Sequence, residues 1–157
     1  INQTIGEFTE KMEEKCLQVI PVMPERPVYI EADSRRIWRV VENLFGNVYK
    51  YALEGTRVYL DLVERVENGQ KVAVFSKKNI SAQPLNINAD ELTERFIRGD
   101  VSRSTEGSGL GLSIAKNLTE LQNGRFDIYL DGDLFKVILT FPCLEEERVQ
   151  EAAMQVL

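Results

Sequence analysis

The chain has 157 residues, 43% of them hydrophobic and 28% charged, and these values are typical of one ordinary folded domain. It contains no histidine, which excludes nucleophile systems that need a histidine base and metal sites with histidine ligands. The formal net charge of -6 argues against a domain-wide nucleic-acid surface, which is usually basic.

Two cysteines, Cys16 and Cys143, match no zinc or redox spacing, and we expect both to be buried free thiols. No apolar run approaches the ~18 residues of a membrane span, and the chain shows no signal peptide. Because it starts at Ile1 rather than Met, we expect it to be a piece of a longer protein.

The first half of the chain predicts two helices separated by short strands. Apolar residues at helical spacing predict an amphipathic helix over 3–16. Three prolines separate two apolar runs, 17–22 and 28–30, which we interpret as strands joined by a loop. Asp33 starts a second helix that carries an apolar stripe as far as Ala52.

The second half predicts two hairpins around a long polar segment. Alternating residues on both sides of Asn68-Gly69 predict the first hairpin, and 126–130 with 134–141 predict the second. Between the hairpins lie a polar segment over 79–109 and a helix over about 110–121. Paired strands favour a mixed or antiparallel sheet with helices on one face, an α+β sandwich, over a doubly wound parallel sheet.

A glycine-rich motif stands between the polar segment and the third helix. Glycines let backbone N–H groups approach an anion, and the start of a helix adds partial positive charge. The motif is neither a Walker A loop nor a dinucleotide-binding fingerprint, and a flexible hinge is the alternative. Its residues are Gly107, Ser108, Gly109, Leu110, Gly111 and Leu112.

The second helix carries polar residues beside its apolar stripe. Asn43, Asn47 and Lys50 are spaced by four and three residues and therefore share one face. Two amides and an ammonium could hold Mg²⁺ and phosphate oxygens, because Mg²⁺ takes few protein ligands and shares substrate phosphates. An ordinary solvated helix face is the alternative.

Arginines gather in the polar segment of this acidic chain. Arg95, Arg98 and Arg103 suit phosphate capture, and local pairing with Glu94 and Asp100 is the alternative.

Three segments, in this order, resemble the ATP-binding domain of sensor histidine kinases. Residues 43–52 resemble its N box, 94–100 its F box, and 104–115 its G2 box with the helix that follows. The resemblance covers about residues 17–142. It implies the Bergerat (GHKL) fold, a two-layer sandwich of a mixed, mostly antiparallel sheet with helices on one face and a long ATP lid.

The resemblance also implies roles for individual residues. Asn47 would coordinate Mg²⁺, Lys50 and Tyr51 would line the phosphate and ribose side, and Arg98 would lie near the phosphates. Gly107 to Leu112 would wrap the phosphates, and the lid would span about 81–106. Residues 1–16 would be a linker or a packing helix, and 143–157 a tail that is helix-forming.

Asn43 stands where ATP-hydrolysing relatives such as gyrase carry a glutamate base. An amide cannot act as a general base for water, so this position favours ATP transfer over hydrolysis. The main departure is the G1 box, D-x-G-x-G in most members, whose aspartate accepts a hydrogen bond from adenine. Asn79 is the best match here, with a neutral amide oxygen as acceptor.

The function implied is binding of Mg-ATP and donation of its γ-phosphate to a histidine on a separate dimerisation domain. The expected partners are that domain, in a parent that is a homodimer, and indirectly a response regulator. We expect a cytoplasmic location, with the parent anchored in the membrane. The alternatives are an ATP-binding or interaction module without kinase activity and, less favoured, a relative that phosphorylates serine on an anti-sigma partner.

Overall fold

The computed structural model describes residues 2–85 and 111–145. That part of the chain contains three helices and five strands. They are α1 (Asn2–Glu14), β1 (Gln18–Val22), α2 (Ser34–Tyr51), β2 (Arg57–Glu67), β3 (Gln70–Ile80), α3 (Gly111–Glu120), β4 (Arg125–Asp131) and β5 (Leu134–Pro142).

The strands form one sheet in the order β1-β2-β3-β5-β4. Strand β1 runs parallel to β2, and the other neighbours are antiparallel. The predicted α+β fold with a mixed, mostly antiparallel sheet is therefore confirmed, as are both predicted hairpins. The β2–β3 hairpin turns at Asn68 and Gly69, whose φ angles of 50° and 80° suit a tight two-residue turn.

The expected strand over 28–30 is wrong. Within that run Ile30 forms a single bridge with Cys143, and the neighbour of β1 is β2. Pro24 and Pro27 precede this run and explain the difference, because proline cannot donate to a strand ladder. Within this run Ile30 packs against the core cluster, whereas Tyr29 is exposed.

The core lies between the inner face of the sheet and helices α2 and α3. Helix α2 buries five apolar side chains at helical spacing, and α3 adds Leu112 and Ala115. The inner face of the sheet contributes alternate residues of each strand, since side chains in a strand point to opposite faces. Those of α2 are Val40, Val41, Leu44, Phe45 and Val48, and those of the sheet include Val58, Leu60, Phe75, Phe135, Val137 and Leu139.

Helix α2 begins where the sequence predicts. Asp33 is its N-cap, and one carboxylate oxygen accepts hydrogen bonds from the backbone N–H groups of Arg35 (2.9 Å) and Arg36 (3.1 Å). These hydrogen bonds lower the pKa of Asp33, the bond from Arg36 most of all.

Helix α1 packs on the outside of α2. Met12 is fully buried, and the ring of Phe8 stacks on that of Phe45 with centroids 5.1 Å apart. The first residues of the chain therefore contribute to the same core as α2.

The cysteines differ from the expectation of two buried thiols. Cys16 is exposed and Cys143 is half-buried. Cys16 lies just beyond α1 with a φ of 54°, in the turn that leads into β1, which keeps it outside the core. The predicted helical tail lies mostly beyond residue 145, outside the described residues. Among the helices that the structure describes, none is long and apolar enough to cross a membrane.

Gly124 joins α3 to β4 at a point without room for a side chain. A Cβ placed there would lie 2.5 Å from the ring of Phe141 and 2.8 Å from the methyl carbon of Thr119. We expect Gly124→Ala to lower the free energy of unfolding by about 1–3 kcal/mol, because overpacking a buried contact forces its neighbours to move.

Urea denaturation measures this change. Gly6→Ala is the matched control, because a Cβ at Gly6 of α1 meets no atom within 4 Å and helix propensity favours alanine. Equal unfolding free energies for the two variants would contradict the packing argument.

Candidate functional site

A cleft lies between α2 and the start of α3. Four predicted residues of α2 line it: Asn43, Asn47, Lys50 and Tyr51. They project from one side of the helix because the apolar stripe beginning at Val40 is held against the sheet, which sets the rotation of α2. The predicted polar face is therefore open to the cleft rather than buried.

The start of α3 forms the opposite wall. Gly111 and Leu112, two residues of the glycine-rich motif, line the cleft, and α3 begins at Gly111. A Cβ added at Gly111 would lie 3.2 Å from the side-chain oxygen of Asn43, so the two helices approach closely here. The N–H groups and partial positive charge at the start of a helix are thereby placed at this cleft.

Asn43 is held by its own helix. Its Nδ2 donates a 2.7 Å hydrogen bond to the backbone oxygen of Arg39, one turn earlier. This bond orients the carboxamide so that its oxygen is the atom beside Gly111. Asn43 therefore presents a fixed, neutral acceptor at the mouth of the cleft.

The end of α2 is joined to the end of β3. The backbone N–H of Leu53 donates to the oxygen of Ile80, and that of Ala82 donates to the oxygen of Tyr51, both at 2.9 Å. Beyond this junction the chain leaves the described part after Leu85 and re-enters it at Gly111. Ala82, shortly before the intervening segment that contains most of the expected lid, is bonded to Tyr51 of the cleft, and Gly111, just after that segment, lines the cleft.

Asn79 lies one residue before this junction, on the inner face of β3. It is 2% exposed, and its carboxamide is hydrogen-bonded at both ends. Its Oδ1 accepts from the ammonium nitrogen of Lys77 at 2.9 Å, and its Nδ2 donates to the backbone oxygen of Ile80 at 3.3 Å. The expected base-reading side chain is therefore oriented by the protein itself.

Lys77 is a residue that the sequence reasoning missed. It is 1% exposed, lies opposite Leu60 and Val137, and has its Nζ 4.4 Å from the ring centre of Phe135. Burial lowers the pKa of Lys77 to about 7, because an ammonium is poorly solvated in such surroundings.

Strand alternation is the signal that could have identified this lysine. Two consecutive lysines in a strand must point to opposite faces, so one of them must enter the core. Lys78 takes the outer face, where its Nζ lies 3.1 Å from a carboxylate oxygen of Asp61. Lys77 takes the inner face, in line with Phe75 and Asn79.

Six of the expected site residues lie outside the described residues, and their predicted roles stay predictions. They are Arg98, Arg103, Gly107, Ser108, Gly109 and Leu110.

Four lining residues of the cleft were not among those expected: Arg39, Glu42, Gly46 and Ile114. Arg39 and Glu42 form an exposed ion pair of 3.6 Å at one edge, spaced by three residues on α2. A Cβ at Gly46 would meet no atom within 4 Å, so the helix backbone is bare there. Helical spacing from Asn43 and Asn47 could have identified the residues of α2.

A larger cavity of about 510 Å³ lies elsewhere, under the segment that follows β1. Its walls are mainly apolar side chains of the core, among them Val40, Phe75 and Phe141. It lacks the set of amides, ammonium and helix start that the smaller cleft brings together. This apolar cavity is therefore less suited to a charged ligand than the cleft between α2 and α3.

The chemistry of the cleft suits an anion accompanied by a hard cation. Amide oxygens, phosphates and water are the ligands that Mg²⁺ prefers, and Asn47 offers such an oxygen. Within residues 2–85 and 111–145, no group of three or more His, Cys, Asp or Glu side chains could hold a metal ion. A metal in this cleft would therefore depend on Asn47 together with oxygens of the ligand.

Comparison with known proteins gives one family. The model of the histidine kinase-, DNA gyrase B-, and HSP90-like ATPases matches residues 32–147. The chain is 29% identical over 143 residues to the sensor histidine kinase WalK of Bacillus subtilis, covering 88% of this chain and 23% of WalK. It is 32% identical over 122 residues to the probable sensor kinase SilS of Salmonella typhimurium, covering 76% of this chain and 24% of SilS. The chain thus spans about a quarter of the length of these relatives.

Solved structures agree on the fold. The catalytic domain of histidine kinase ThkA, in a nucleotide-free form, superposes with a TM-score of 0.70 at 22% identity, covering 90% of this chain and 88% of that one. Full-length ShkA in complex with AMPPNP superposes with a TM-score of 0.68 at 21% identity, covering 90% of this chain and 29% of that one.

The buried ammonium predicts an unusual dependence of stability on pH. The pKa of Lys77 is about 7 in the folded chain and near its ordinary 10.5 in the unfolded chain, so the unfolded state binds more protons between these values. Stability therefore rises with pH across this window. Below pH 7 both states are protonated, and the folded state carries the full cost of burying the charge.

Lys77→Met removes this contribution. We measure the free energy of unfolding by urea denaturation at pH 6.5 and at pH 9. Between these values we expect that of wild type to rise by about 2 kcal/mol relative to that of Lys77→Met. The control is Lys78→Met on the exposed face. The difference in free energy of unfolding between wild type and this variant should not change with pH. A constant difference between wild type and Lys77→Met would show that Lys77 keeps its ordinary pKa.

Proposed function

This chain belongs to the family of histidine kinase-, DNA gyrase B- and HSP90-like ATPases, and from that membership we propose that it is the ATP-binding catalytic domain of a sensor histidine kinase. The observation that carries the proposal is the cleft in which α2 and the start of α3 bring Asn43, Asn47, Lys50 and Gly111 together. Its relatives WalK and SilS are named as sensor kinases, and ShkA was solved with the ATP analogue AMPPNP.

In this proposal the triphosphate lies across the start of α3. The helix start supplies N–H donors and partial positive charge, and Lys50 supplies an ammonium from the facing helix. Tyr51 lines the ribose side at the end of α2. Gly107 to Leu112 wrap the phosphates, and Arg98 and Arg103 approach them from the lid over about 81–106.

Asn47 is the proposed magnesium ligand. Its amide oxygen and the phosphate oxygens together supply the hard donors that the ion needs. When bound, Mg²⁺ neutralises the charge that develops on the transferring phosphoryl group. The part played by the chain is to hold Asn47 at a fixed position on a helix whose other face is buried.

The phosphoryl acceptor is proposed to be a histidine, since the relative WalK is named a sensor histidine kinase, and it would lie on a separate dimerisation domain, since this chain contains none. A nitrogen of the imidazole attacks the γ-phosphorus with its lone pair. A P–N bond forms as the bond to the β,γ-bridging oxygen breaks, and ADP leaves. Such a transfer depends mostly on positioning and charge neutralisation, which are the properties that this cleft can supply.

Asn43 supports transfer over hydrolysis. Its carboxamide lies at the mouth of the cleft, where its Nδ2 is already engaged by the backbone of Arg39. An amide cannot take a proton from water, so no base for hydrolysis is supplied at this position. We therefore propose a domain that retains ATP until the acceptor histidine arrives.

A second candidate is a nucleotide-binding or interaction module without kinase activity. The observation that favours it is Asn79, whose carboxamide oxygen already accepts a hydrogen bond from Lys77. An oxygen shared in this way is a weaker reader of adenine than a free carboxylate would be.

The parent protein is proposed to be a homodimeric sensor kinase anchored in the cell membrane, with this domain in the cytoplasm and a response regulator downstream. The relatives WalK and SilS, of which this chain spans about a quarter, are named as sensor kinases, which supports a sensor kinase as the parent. Residues 17–142 would form the catalytic domain within that parent.

The proposal is tested by titrating the chain with ATP, ADP and GTP, with and without Mg²⁺, in a calorimeter. Binding of ATP that tightens with Mg²⁺ supports it, and no binding at millimolar ATP contradicts it. Transfer is tested with a histidine-containing dimerisation domain of a sensor kinase and radiolabelled ATP. Acid-labile phosphate on that domain supports the kinase, acid-stable phosphate indicates serine phosphorylation, and binding without transfer indicates the second candidate.

Asn47→Ala tests the metal site. We expect this substitution to abolish the tightening of ATP binding by Mg²⁺, because it removes the one protein oxygen proposed to coordinate the ion. Calorimetric titrations in Mg²⁺ and in EDTA measure the change, which we expect to exceed tenfold in the dissociation constant with Mg²⁺ present.

The matched control is Asn117→Ala, an exposed asparagine on α3 that does not line the cleft. It should retain the full effect of Mg²⁺. If Asn47→Ala also retains it, the metal ligand lies elsewhere.

A further inference from the structure

Lys77 has no role in the function proposed above, yet it occupies a costly position. Its side chain is 1% exposed and lies among apolar residues of the inner face, with Phe135 beneath its nitrogen. An apolar side chain would fill the same space without burying an amine. Its hydrogen bond to Asn79 is the shorter of the two that hold the Asn79 carboxamide, at 2.9 Å against 3.3 Å.

A carboxamide has a property that a carboxylate lacks. Turning it by 180° exchanges its acceptor for its donor, and the two orientations are almost equal in shape. Adenine presents an amino donor beside a ring-nitrogen acceptor, whereas a 6-oxopurine presents an oxygen acceptor beside an N–H donor. An asparagine that is free to turn therefore matches both bases, while an aspartate accepts only.

The contacts around Asn79 remove this freedom. The ammonium of Lys77 can only donate, so it requires the oxygen of Asn79 on its side. The backbone oxygen of Ile80 can only accept, so it requires Nδ2 on the other side. In the turned orientation two donors would face each other at one end and two acceptors at the other, in a site withdrawn from water.

We propose that Lys77 is a positioning residue that holds the carboxamide of Asn79 in the orientation complementary to adenine, and thereby makes the site prefer an adenine over a 6-oxopurine nucleotide. The inference rests on the proposed function, in which Asn79 reads the base. The held carboxamide keeps one free lone pair on Oδ1 and one free hydrogen on Nδ2, the pattern that adenine requires.

The position of Asn79 agrees with this role. It directly precedes Ile80, whose backbone oxygen joins β3 to Leu53 at the end of α2, and Tyr51 of that helix end lines the cleft. Asn79 is 2% exposed, so the polar groups of this carboxamide are withdrawn from water. A base with the wrong donor and acceptor pattern then leaves buried polar groups without partners. Discrimination between bases is strongest when such groups cannot bond to water instead.

The experiment compares ATP with GTP at pH 6, where Lys77 carries its proton. Dissociation constants of both Mg-nucleotides are measured by calorimetry for wild type, Lys77→Met, and the double variant Lys77→Met with Asn79→Asp. We expect the dissociation constant of GTP to exceed that of ATP by at least tenfold in wild type. In Lys77→Met we expect this ratio to fall by about tenfold. The double variant regains it, because a carboxylate cannot present a donor in either orientation.

Three controls separate positioning from a structural effect. Lys78→Met, on the outer face, keeps the preference of wild type. Inorganic triphosphate binds wild type, Lys77→Met and Asn79→Ala equally, whereas Asn79→Ala weakens ATP binding. Urea denaturation midpoints test whether the variants are folded. If Lys77→Met does not fold, Lys77→Leu takes its place.

An unchanged preference in folded Lys77→Met, or a double variant that does not regain it, overturns the inference. Equal loss of triphosphate and ATP affinity in Asn79→Ala also overturns it, because Asn79 would then not read the base. Wild type that binds ATP and GTP equally overturns the inference while leaving nucleotide binding intact. Wild type that binds neither nucleotide contradicts the proposed function itself.

Discussion

The packing of α2 against the sheet is the constraint on which the rest of the structure depends. Five apolar side chains of this helix, from Val40 to Val48, are buried against the inner face of the strands. Because an α-helix is a rigid cylinder with 3.6 residues per turn, burying one stripe sets the direction of every other side chain. Asn43, Asn47 and Lys50 consequently face the cleft. Rotating α2 by one residue would bury these polar groups and expose the stripe, at a large cost in free energy.

The second wall of the cleft comes from a distant part of the chain. Helix α3 starts at Gly111, and close approach to Asn43 is possible there because glycine has no side chain. Two helices that pack on the same sheet face thus create a site whose components are about 65 residues apart in sequence. The proposed phosphoryl transfer needs few reactive side chains, since positioning and charge neutralisation provide most of its catalysis.

The pair Lys77–Asn79 is the exception to an otherwise apolar inner face. Its neighbours on adjacent strands, Leu60, Phe135 and Val137, are buried and apolar. A buried amine and amide are tolerated there because the amine donates to the amide oxygen and the amide donates to the backbone oxygen of Ile80. The same burial that lowers the pKa of Lys77 also strengthens the hydrogen bond that orients Asn79. If Asn79 contacts the base as proposed, stability and base recognition are coupled at this position of β3.

The sequence by itself determined the α+β class, the bounds of α2 and α3 within one or two residues, both hairpins and the polar face of α2. These features depend on local periodicity, on a capping residue such as Asp33 and on turn residues such as Asn68-Gly69, which act over a few residues. Only the tertiary structure decided that β1 pairs in parallel with β2, that 28–30 makes one bridge instead of a strand, and that Cys16 is exposed. It also decided that Lys77 rather than Lys78 enters the core, next to Asn79. Strand alternation requires one of the two lysines to point inward, but which one depends on the register of β3 with β2 and β5, a contact between segments far apart in the chain.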